Sequence, residues 1–503
     1  MSRPNLLFLF SDQHNADVLG CEGHPDVATP HLDRLAARGA RFSRAYCQDA
    51  VCTPSRCSLF SGLYPRTLGV RSNGDRTPLL DEVVSLQASF QGQGYRTAAF
   101  GKRHLYGAVD HGWDEKASHL RIESLEDNYV DWVAGEGHAE TFDRDWAAEF
   151  GRGAEQTPAH DVPQPDALFT TRESGLPEHM TMEAWTKMRT VDFIERMAGG
   201  EQPFFCLSSF YRPHQPYTPL PRYFNRFDRS KWGRGRHAGD GLARPTSLTQ
   251  PVEDLPPRLQ EQTRSTEGPW QFRLARADEQ LYRDFLAAYY ALVEEIDDHV
   301  GEIVAALERT RQWKNTIIVY SSDHGDFAGT HGMIEKCAVG QNVYEATVRV
   351  PMILCGPGVE RAHGPITSLA ELVDLYPTLL ELCGLDAPGA VNPLPLDGRS
   401  LAPLCRGTVP PDWRQCTVTE SWNQSTIITD RYKLGLWTDT FRHPYRDHRE
   451  FGDLLFDREI DPHETHNLAG TEAYAEIEAM LRNQWKAWQR EHPAFSEKLA
   501  TPA

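Results

Sequence analysis

The sequence predicts an α/β fold, a large and mostly parallel sheet sandwiched by helices, followed by a smaller antiparallel sheet plus helix. Short apolar runs alternate with longer segments of helical period, the pattern of strands joined by crossover helices. Several of those runs are apolar throughout, as strands covered on both faces are. Beyond residue 404 the texture changes to short strand-like runs separated by turn residues. A main domain is therefore expected over residues 1–404 and a C-terminal α+β subdomain over 405–503.

Asn5–Phe10 is an apolar run that delivers Ser11-Asp12-Gln13 at its end, as a buried parallel strand would. Thr29-Pro30 opens a helix through Arg38 that Gly39 stops, with proline in the first turn and glycine past the last. Thr97–Phe100 predicts a strand ending in Gly101-Lys102-Arg103-His104. Residues 107–175, rich in His, Asp, Gly, Pro and Trp, are expected to form irregular loops. Thr181–Met197 predicts a helix, and Pro203–Phe210 a strand running into Tyr211-Arg212-Pro213-His214. Residues 218–275 are again expected to be loops. Asp278–Thr310 is the longest predicted helix, because Leu281, Phe285, Ala288, Leu292, Ile296, Val300 and Ile303 recur at helical spacing. Thr316–Tyr320 predicts a strand ending in Ser321-Ser322-Asp323-His324-Gly325, Val348–Leu354 another strand, and Leu369–Cys383 a helix. In the C-terminal part, Cys416–Glu420, Ser425–Thr429 and Lys433–Trp437 predict strands and Glu472–Glu491 an amphipathic helix. Four of these strands end in polar, chemically capable groups, and ligands of parallel sheets bind at the carboxyl ends of strands.

The chain has 503 residues, and a hydrophobic fraction of 40% is ample for a core and excludes a disordered chain. With 71 acidic and 52 basic side chains the net charge is −19, which argues against a general nucleic-acid or anionic-membrane binder. An anionic substrate would then need a local positive site or a metal. The first residues lack the longer apolar region and cleavage site of a signal peptide. No run approaches the roughly 18 apolar residues of a membrane span. The 10 cysteines are scattered, which suits buried thiols better than a disulfide framework. A cytoplasmic location is expected, and a homo-oligomer stays open.

The most informative stretch is Cys52-Thr53-Pro54-Ser55-Arg56, followed by Ser61-Gly62-Leu63-Tyr64-Pro65. Read alone, Cys52 fits an ordinary buried thiol. Cys47, Cys52 and Cys57 lack the Cys-x-x-Cys spacing of a soft-metal cluster. Taken together, the two segments resemble the signature of the type I, formylglycine-dependent sulfatases of the alkaline phosphatase superfamily. The resemblance covers residues 5 to about 400 and implies the alkaline-phosphatase-like fold, with Cys52 oxidised to formylglycine by a formylglycine-generating enzyme. The hydrate of that aldehyde carries two hydroxyls on one carbon, one to attack sulfur and one to expel sulfate. A serine lacks the second.

The resemblance also implies one divalent metal ion held by Asp12, Gln13, Asp323 and His324, with Cys52 completing the shell. In isolation, Asp12 fits a turn or cap as well as a ligand, and Asp323-His324-Gly325 a tight turn. Many relatives carry Asp where Gln13 stands and Asn where His324 stands. The family default is Ca2+, but a histidine nitrogen tilts the site towards Mn2+ or another borderline ion, and Mg2+ stays open. Gly101-Lys102-Arg103-His104-Leu105 resembles the family's Gly-Lys-Trp-His-Leu, with arginine in place of tryptophan. By resemblance, Lys102 and Lys336 hold the sulfate, Arg56 stabilises the ionised hydrate, and Asp323 accepts or orients its proton. His214 protonates the leaving alcohol, His104 takes the proton during release, and Asn73 is a candidate active-site amide. The implied substrate is a small-molecule or saccharide sulfate ester. A phosphonate monoester hydrolase or phosphodiesterase of the same superfamily is the alternative, and a non-catalytic sulfated-glycan binder a more distant one. Trp113, Trp132, Trp146, Asp110 and His111 lie in the expected loops, where they line a pocket or serve plain packing.

Overall fold

The strand Asn5–Asp12 (β1) is the middle member of a seven-stranded sheet and is buried along its whole length. The computed structural model describes residues 3–495, apart from 151–170, 256, 258–259, 261–278, 337–342, 362, 390–393, 422–423 and 439–451. The other sheet strands are Ala40–Arg41 (β2), Arg96–Gly101 (β3), Glu115–Ala117 (β4), Phe204–Pro213 (β5), Thr316–Ser322 (β6) and Met352–Cys355 (β7). Their spatial order is β2-β7-β6-β1-β5-β3-β4. β1 pairs in parallel with β5 and β6, and β3 in parallel with β5 and β4. β7 is antiparallel to both β6 and β2. The sheet is thus mostly parallel, as expected.

Alternate side chains of β1 enter opposite cores, which is why the run is apolar at every position. Leu6, Phe8 and Phe10 pack with helices Cys52–Ser61 (α2), Leu86–Gly92 (α3) and Leu375–Cys383 (α8). Leu7 and Leu9 pack with Pro30–Arg38 (α1), Met182–Met197 (α6) and Glu279–Arg309 (α7). Each fully buried Leu or Phe adds about 1.5–3 kcal/mol, so the two cores fix the sheet between its helices.

Three expectations need correction. Residues 107–175 are not simply loops: besides β4 they form the helices Tyr129–Gly135 (α4) and Ala139–Phe150 (α5). Asn128 caps α4 by accepting the Asp131 N–H, and Tyr129, Val130, Val133 and Phe142 bury against Trp185 and its neighbours. The surrounding His, Asp and Gly obscured that short apolar face. Val348–Leu354 is a strand only from Met352, because a helical turn runs over Glu345–Val348 and Pro351 lacks an N–H for the ladder. The helix expected from Leu369 starts at Leu375, after Glu371 and Asp374 close a capping box. The expected loop over 218–275 lies partly outside the described residues, as does Cys337. The remaining nine cysteines are free thiols.

In the C-terminal part, Thr417–Ser421 (β8), Gln424–Ile428 (β9), Tyr432–Trp437 (β10) and Leu454–Asp457 (β11) form an antiparallel sheet backed by Ala475–Glu491 (α9). An ion pair ties this sheet to the main body, with Lys433 2.6 Å from Glu345, and the same ammonium stands 2.5 Å from Glu464 within the C-terminal part. Among the described residues, no helix is long and apolar enough to cross a membrane.

Candidate active site

The ends of β1, β5 and β6 lie side by side, and each delivers polar groups to the same place. Ser11 of β1 is in register with Ser322 of β6, so Asp12-Gln13 and Asp323-His324 emerge together. The His214 N–H donates to the Asp12 carbonyl over 3.2 Å, which brings the end of β5 to the same point.

Helix α2 points its first turn at these strand ends. Cys52 is its first residue, and Pro54 lies in the turn whose N–H groups have no intrahelical acceptor. The cap comes from elsewhere in the chain: Asn73 Oδ1 accepts the Thr53 N–H over 3.0 Å. Arg56 follows Cys52 by one turn and therefore shares its face. Its guanidinium donates to Asp323 Oδ2 over 2.7 Å, to Asp12 Oδ2 over 3.1 Å and to the Lys102 carbonyl over 2.8 Å. Arg56, Asp12 and Asp323 are all fully buried, so the geometry of each carboxylate is set by that fork.

Ligand atoms of Asp12, Cys52, Asp323 and His324 all lie within 4.8 Å of one another, which makes a buried cluster able to hold a cation. Cys52 Sγ stands 3.3 Å from His324 Nε2 and 3.8 Å from Asp12 Oδ1. His324 Nδ1 lies 2.9 Å from the Gly325 carbonyl, so this nitrogen carries the proton and Nε2 keeps its lone pair. Burial, with Lys336 nearby, holds His324 below its ordinary pKa. Burial opposes the charge on Asp12, but the cations Lys102 and Arg56 outweigh it and hold the carboxyl well below its usual range.

Two ammonium groups face this cluster. Lys102 Nζ lies 2.6 Å from Asp12 Oδ2 and 3.7 Å from Cys52 Sγ. Lys336 Nζ donates to Gln13 Oε1 over 2.8 Å and pairs with Glu335 over 2.9 Å. Burial alone would lower both lysines, yet their carboxylate neighbours keep them charged and above the ordinary lysine value. Burial and these two ammonium groups push His214 well below its usual value. Its Nδ1 lies 2.8 Å from the Gln215 carbonyl, which leaves Nε2 as the free nitrogen. His104 follows in the turn after β3, its N–H on the Glu123 carboxylate at 3.2 Å.

The family model named Sulfatase matches residues 4–385, more than half of the chain. The chain belongs to the sulfatase family. As a family member it is a sulfuric ester hydrolase. A second family model, N-sulphoglucosamine sulphohydrolase, C-terminal, matches residues 329–491 of this sulfatase. The chain is 27% identical to the multifunctional alkaline phosphatase superfamily protein PehA of Trinickia caryophylli, over 98% of this chain and 96% of that one. It is 24% identical to an N-acetylglucosamine-6-O-sulfatase of Bacteroides thetaiotaomicron, over 97% and 87% of the two chains. Among solved structures, the phosphonate monoester hydrolase SpPMH of Silicibacter pomeroyi superposes with a TM-score of 0.76 at 25% identity, covering 98% of this chain and 96% of that chain.

Several residues around this candidate site carry no motif of their own. The Gln13 amide donates to Asp326 Oδ2 over 2.7 Å, to Tyr217 over 3.1 Å and to Gln215 over 3.2 Å, so its oxygen is the atom turned towards Lys336. Gln215 and Tyr217 sit two and four residues past the end of β5 and could have been sought there. Glu335 and Glu123 gave no signal in the sequence. Of the loop aromatics, Trp113 packs on Phe205 and Trp132 on Tyr129, in the role of core. Trp146 stands 5.3 Å from the ring of Tyr211, which packs in turn on His214. Asp110 pairs with Arg103, and His111 is exposed with its carbonyl bonded to Ser85.

Proposed function

We propose that this sulfatase hydrolyses a sulfate monoester to inorganic sulfate and an alcohol, with residue 52 as formylglycine beside one divalent cation. The observation that carries this reading is the meeting of Asp12, Cys52, Asp323 and His324 within 4.8 Å, with Lys102 and Lys336 facing them. Two carboxylates, one imidazole nitrogen and the side chain of residue 52 suit an ion whose bonds are about 2.0–2.6 Å. The Gln13 amide oxygen is the further donor. The nitrogen ligand favours Mn2+ or a similar ion over the Ca2+ usual in the family.

The cation would supply charge against the nucleophile and the sulfate oxygens, and the formylglycine hydrate the two hydroxyls that attack sulfur and release sulfate. Arg56 holds the carboxylates of Asp12 and Asp323 in place, and Asp323 orients or accepts the proton of the first hydroxyl. Lys102 and Lys336 hold the sulfate oxygens where charge develops, and the Asn73 side chain holds the turn that carries residue 52. His214 presents Nε2 to the leaving-group oxygen. In the free site, burial and two lysines keep His214 neutral, so it is the negative charge of the bound ester that lets it carry the proton it donates. His104 accepts a proton in the release step.

A saccharide sulfate is the substrate class supported by the N-acetylglucosamine-6-O-sulfatase among its relatives. The second reading, a phosphonate monoester, is favoured by the likeness to SpPMH and by Gln13 and His324 at the positions where many sulfatases carry Asp and Asn. Rates on an aryl sulfate and a matched aryl phosphonate monoester, measured on enzyme whose residue-52 peptide is checked by mass spectrometry, rank the two. Faster sulfate hydrolysis by the aldehyde form is expected. A faster phosphonate reaction, or equal activity from an unconverted thiol, overturns the reading.

A further inference from the structure

We propose that Glu123 is a positioning residue whose carboxylate locks the turn after Lys102 in the shape that presents His104 to the sulfate. The roles of Lys102 and His104 rest on the sulfate-ester reading above, whereas the lock itself rests on geometry. Glu123 lies on the segment between β4 and α4, outside every motif singled out above.

The turn begins where β3 runs out. Gly101 has a φ of +99°, and a Cβ there would stand 1.9 Å from the Ser209 carbonyl oxygen. His104 adopts a φ of +51°, a left-handed conformation that L side chains disfavour and hold only when neighbours fix it. Between them the N–H groups of Arg103 and His104 point the same way, and one carboxylate closes on both. Arg103 N–H donates to Glu123 Oε2 over 3.0 Å, and His104 N–H to Oε1 over 3.2 Å. Successive amides of this kind form a concavity suited to an anion, filled here by a side chain.

Glu123 is itself fixed from two directions. The Ser118 hydroxyl donates to Oε2 over 2.5 Å, and Arg103 Nη2 donates to the Glu123 carbonyl over 2.5 Å. Arg103 also gives its Nε to Asp110 over 2.9 Å. The arginine that stands where the resembling motif has tryptophan is therefore tied into the same lock. Burial opposes the Glu123 charge, but His104, Arg103 and the Ser118 hydroxyl bring the carboxyl down to about 2. The Lys102 end of the turn is held separately, by Arg56 on its carbonyl and by its N–H on Ser209 at 3.0 Å. Glu123 thus governs the His104 end.

Glu123→Gln keeps the size of the side chain but removes the charge and sets an NH2 group against one of the two amides. The test compares it with the native enzyme by thermal unfolding, by kcat and KM on an aryl sulfate, and by calorimetric binding of inorganic sulfate to the unconverted Cys52 protein. A folded variant is expected to lose about tenfold or more in kcat, the scale of a misplaced reacting group, with KM moved less and sulfate binding weakened. Glu123→Asp, too short to span both amides, is expected to fall between. If Glu123→Gln does not fold, the same measurements on Glu123→Asp decide. A folded variant that keeps kcat and sulfate affinity within about twofold of native overturns the proposal, since effects of that size are ordinary for remote surface changes. If the native enzyme cleaves no sulfate ester while Glu123→Gln still weakens sulfate binding, the substrate reading fails and the lock stands.

Discussion

Arg56 donates its Nε to Asp323 Oδ2 over 2.7 Å, joining the signature helix to a strand end 267 residues further along the chain. The same guanidinium reaches Asp12. One side chain therefore fixes both carboxylates of the cation cluster, and it does so in a fully buried setting. Removing it leaves two buried carboxylates with one fewer counter-charge. Arg56→Ala is expected to lose about 3–5 kcal/mol of stability, read by chemical denaturation. Arg56→Lys keeps a charge but cannot fork to both acids, and should recover only part of the loss.

Cys52→Ala should abolish turnover and leave thermal stability close to native, because the small side chain is accepted at the first position of α2. Cys52→Ser should be almost inactive as well, lacking a second hydroxyl for release. Steady-state and single-turnover rates on one aryl sulfate check both variants. A fully active Cys52→Ala enzyme would end the nucleophile assignment.

Chelation should lower the unfolding temperature, and re-added cation should restore it. A cation present at about 100 times its Kd stabilises the folded state by about 2.7 kcal/mol. The His324 nitrogen predicts a larger restoration by Mn2+ than by Ca2+. Asp323→Ala should remove the response to either ion, and thermal shift across a cation series measures it. An undiminished shift in Asp323→Ala would place the ion elsewhere.

His299 offers a pH test remote from the cluster. Burial would lower its pKa, but Glu295 and Glu302 outweigh burial and raise it from 6.5 to about 9. Its ring nitrogens lie 3.7 and 3.6 Å from those carboxylates, ion-pair rather than hydrogen-bond distances. Because the folded value lies above the ordinary one, the stabilisation is complete below pH 6.5 and is lost as pH rises through about 9. It amounts to about 1–3 kcal/mol. Denaturation midpoints of native protein and His299→Gln across that window should converge as pH rises. Parallel curves would show that His299 carries no such charge.

Much of the site was legible because short motifs mark where strands end. Ser11-Asp12-Gln13, Gly101-Lys102-Arg103-His104 and Ser322-Asp323-His324 each follow a run apolar enough to be a buried strand, and the pentapeptide from Cys52 to Arg56 carries the family resemblance. What was missed lacks that local context. Helices α4 and α5 have short apolar faces set among polar residues, and only the Trp185 wall shows which side is buried.

The amino-acid order alone determined the alternation of strands and helices, the face that Cys52 and Arg56 share, and the chemical types gathered at strand ends. Periodicity and residue chemistry are local properties, so they can be read without coordinates. Tertiary structure decided what those groups touch: that Asn73 caps α2, that Asp326 turns the Gln13 oxygen towards Lys336, and that Glu123 holds the His104 turn. Those contacts join segments 20, 313 and 19 residues apart, and no repeat or spacing encodes them. They exist because parallel pairing of β1 with β5 and β6 brings distant strand ends to one edge, where buried polar atoms must find partners.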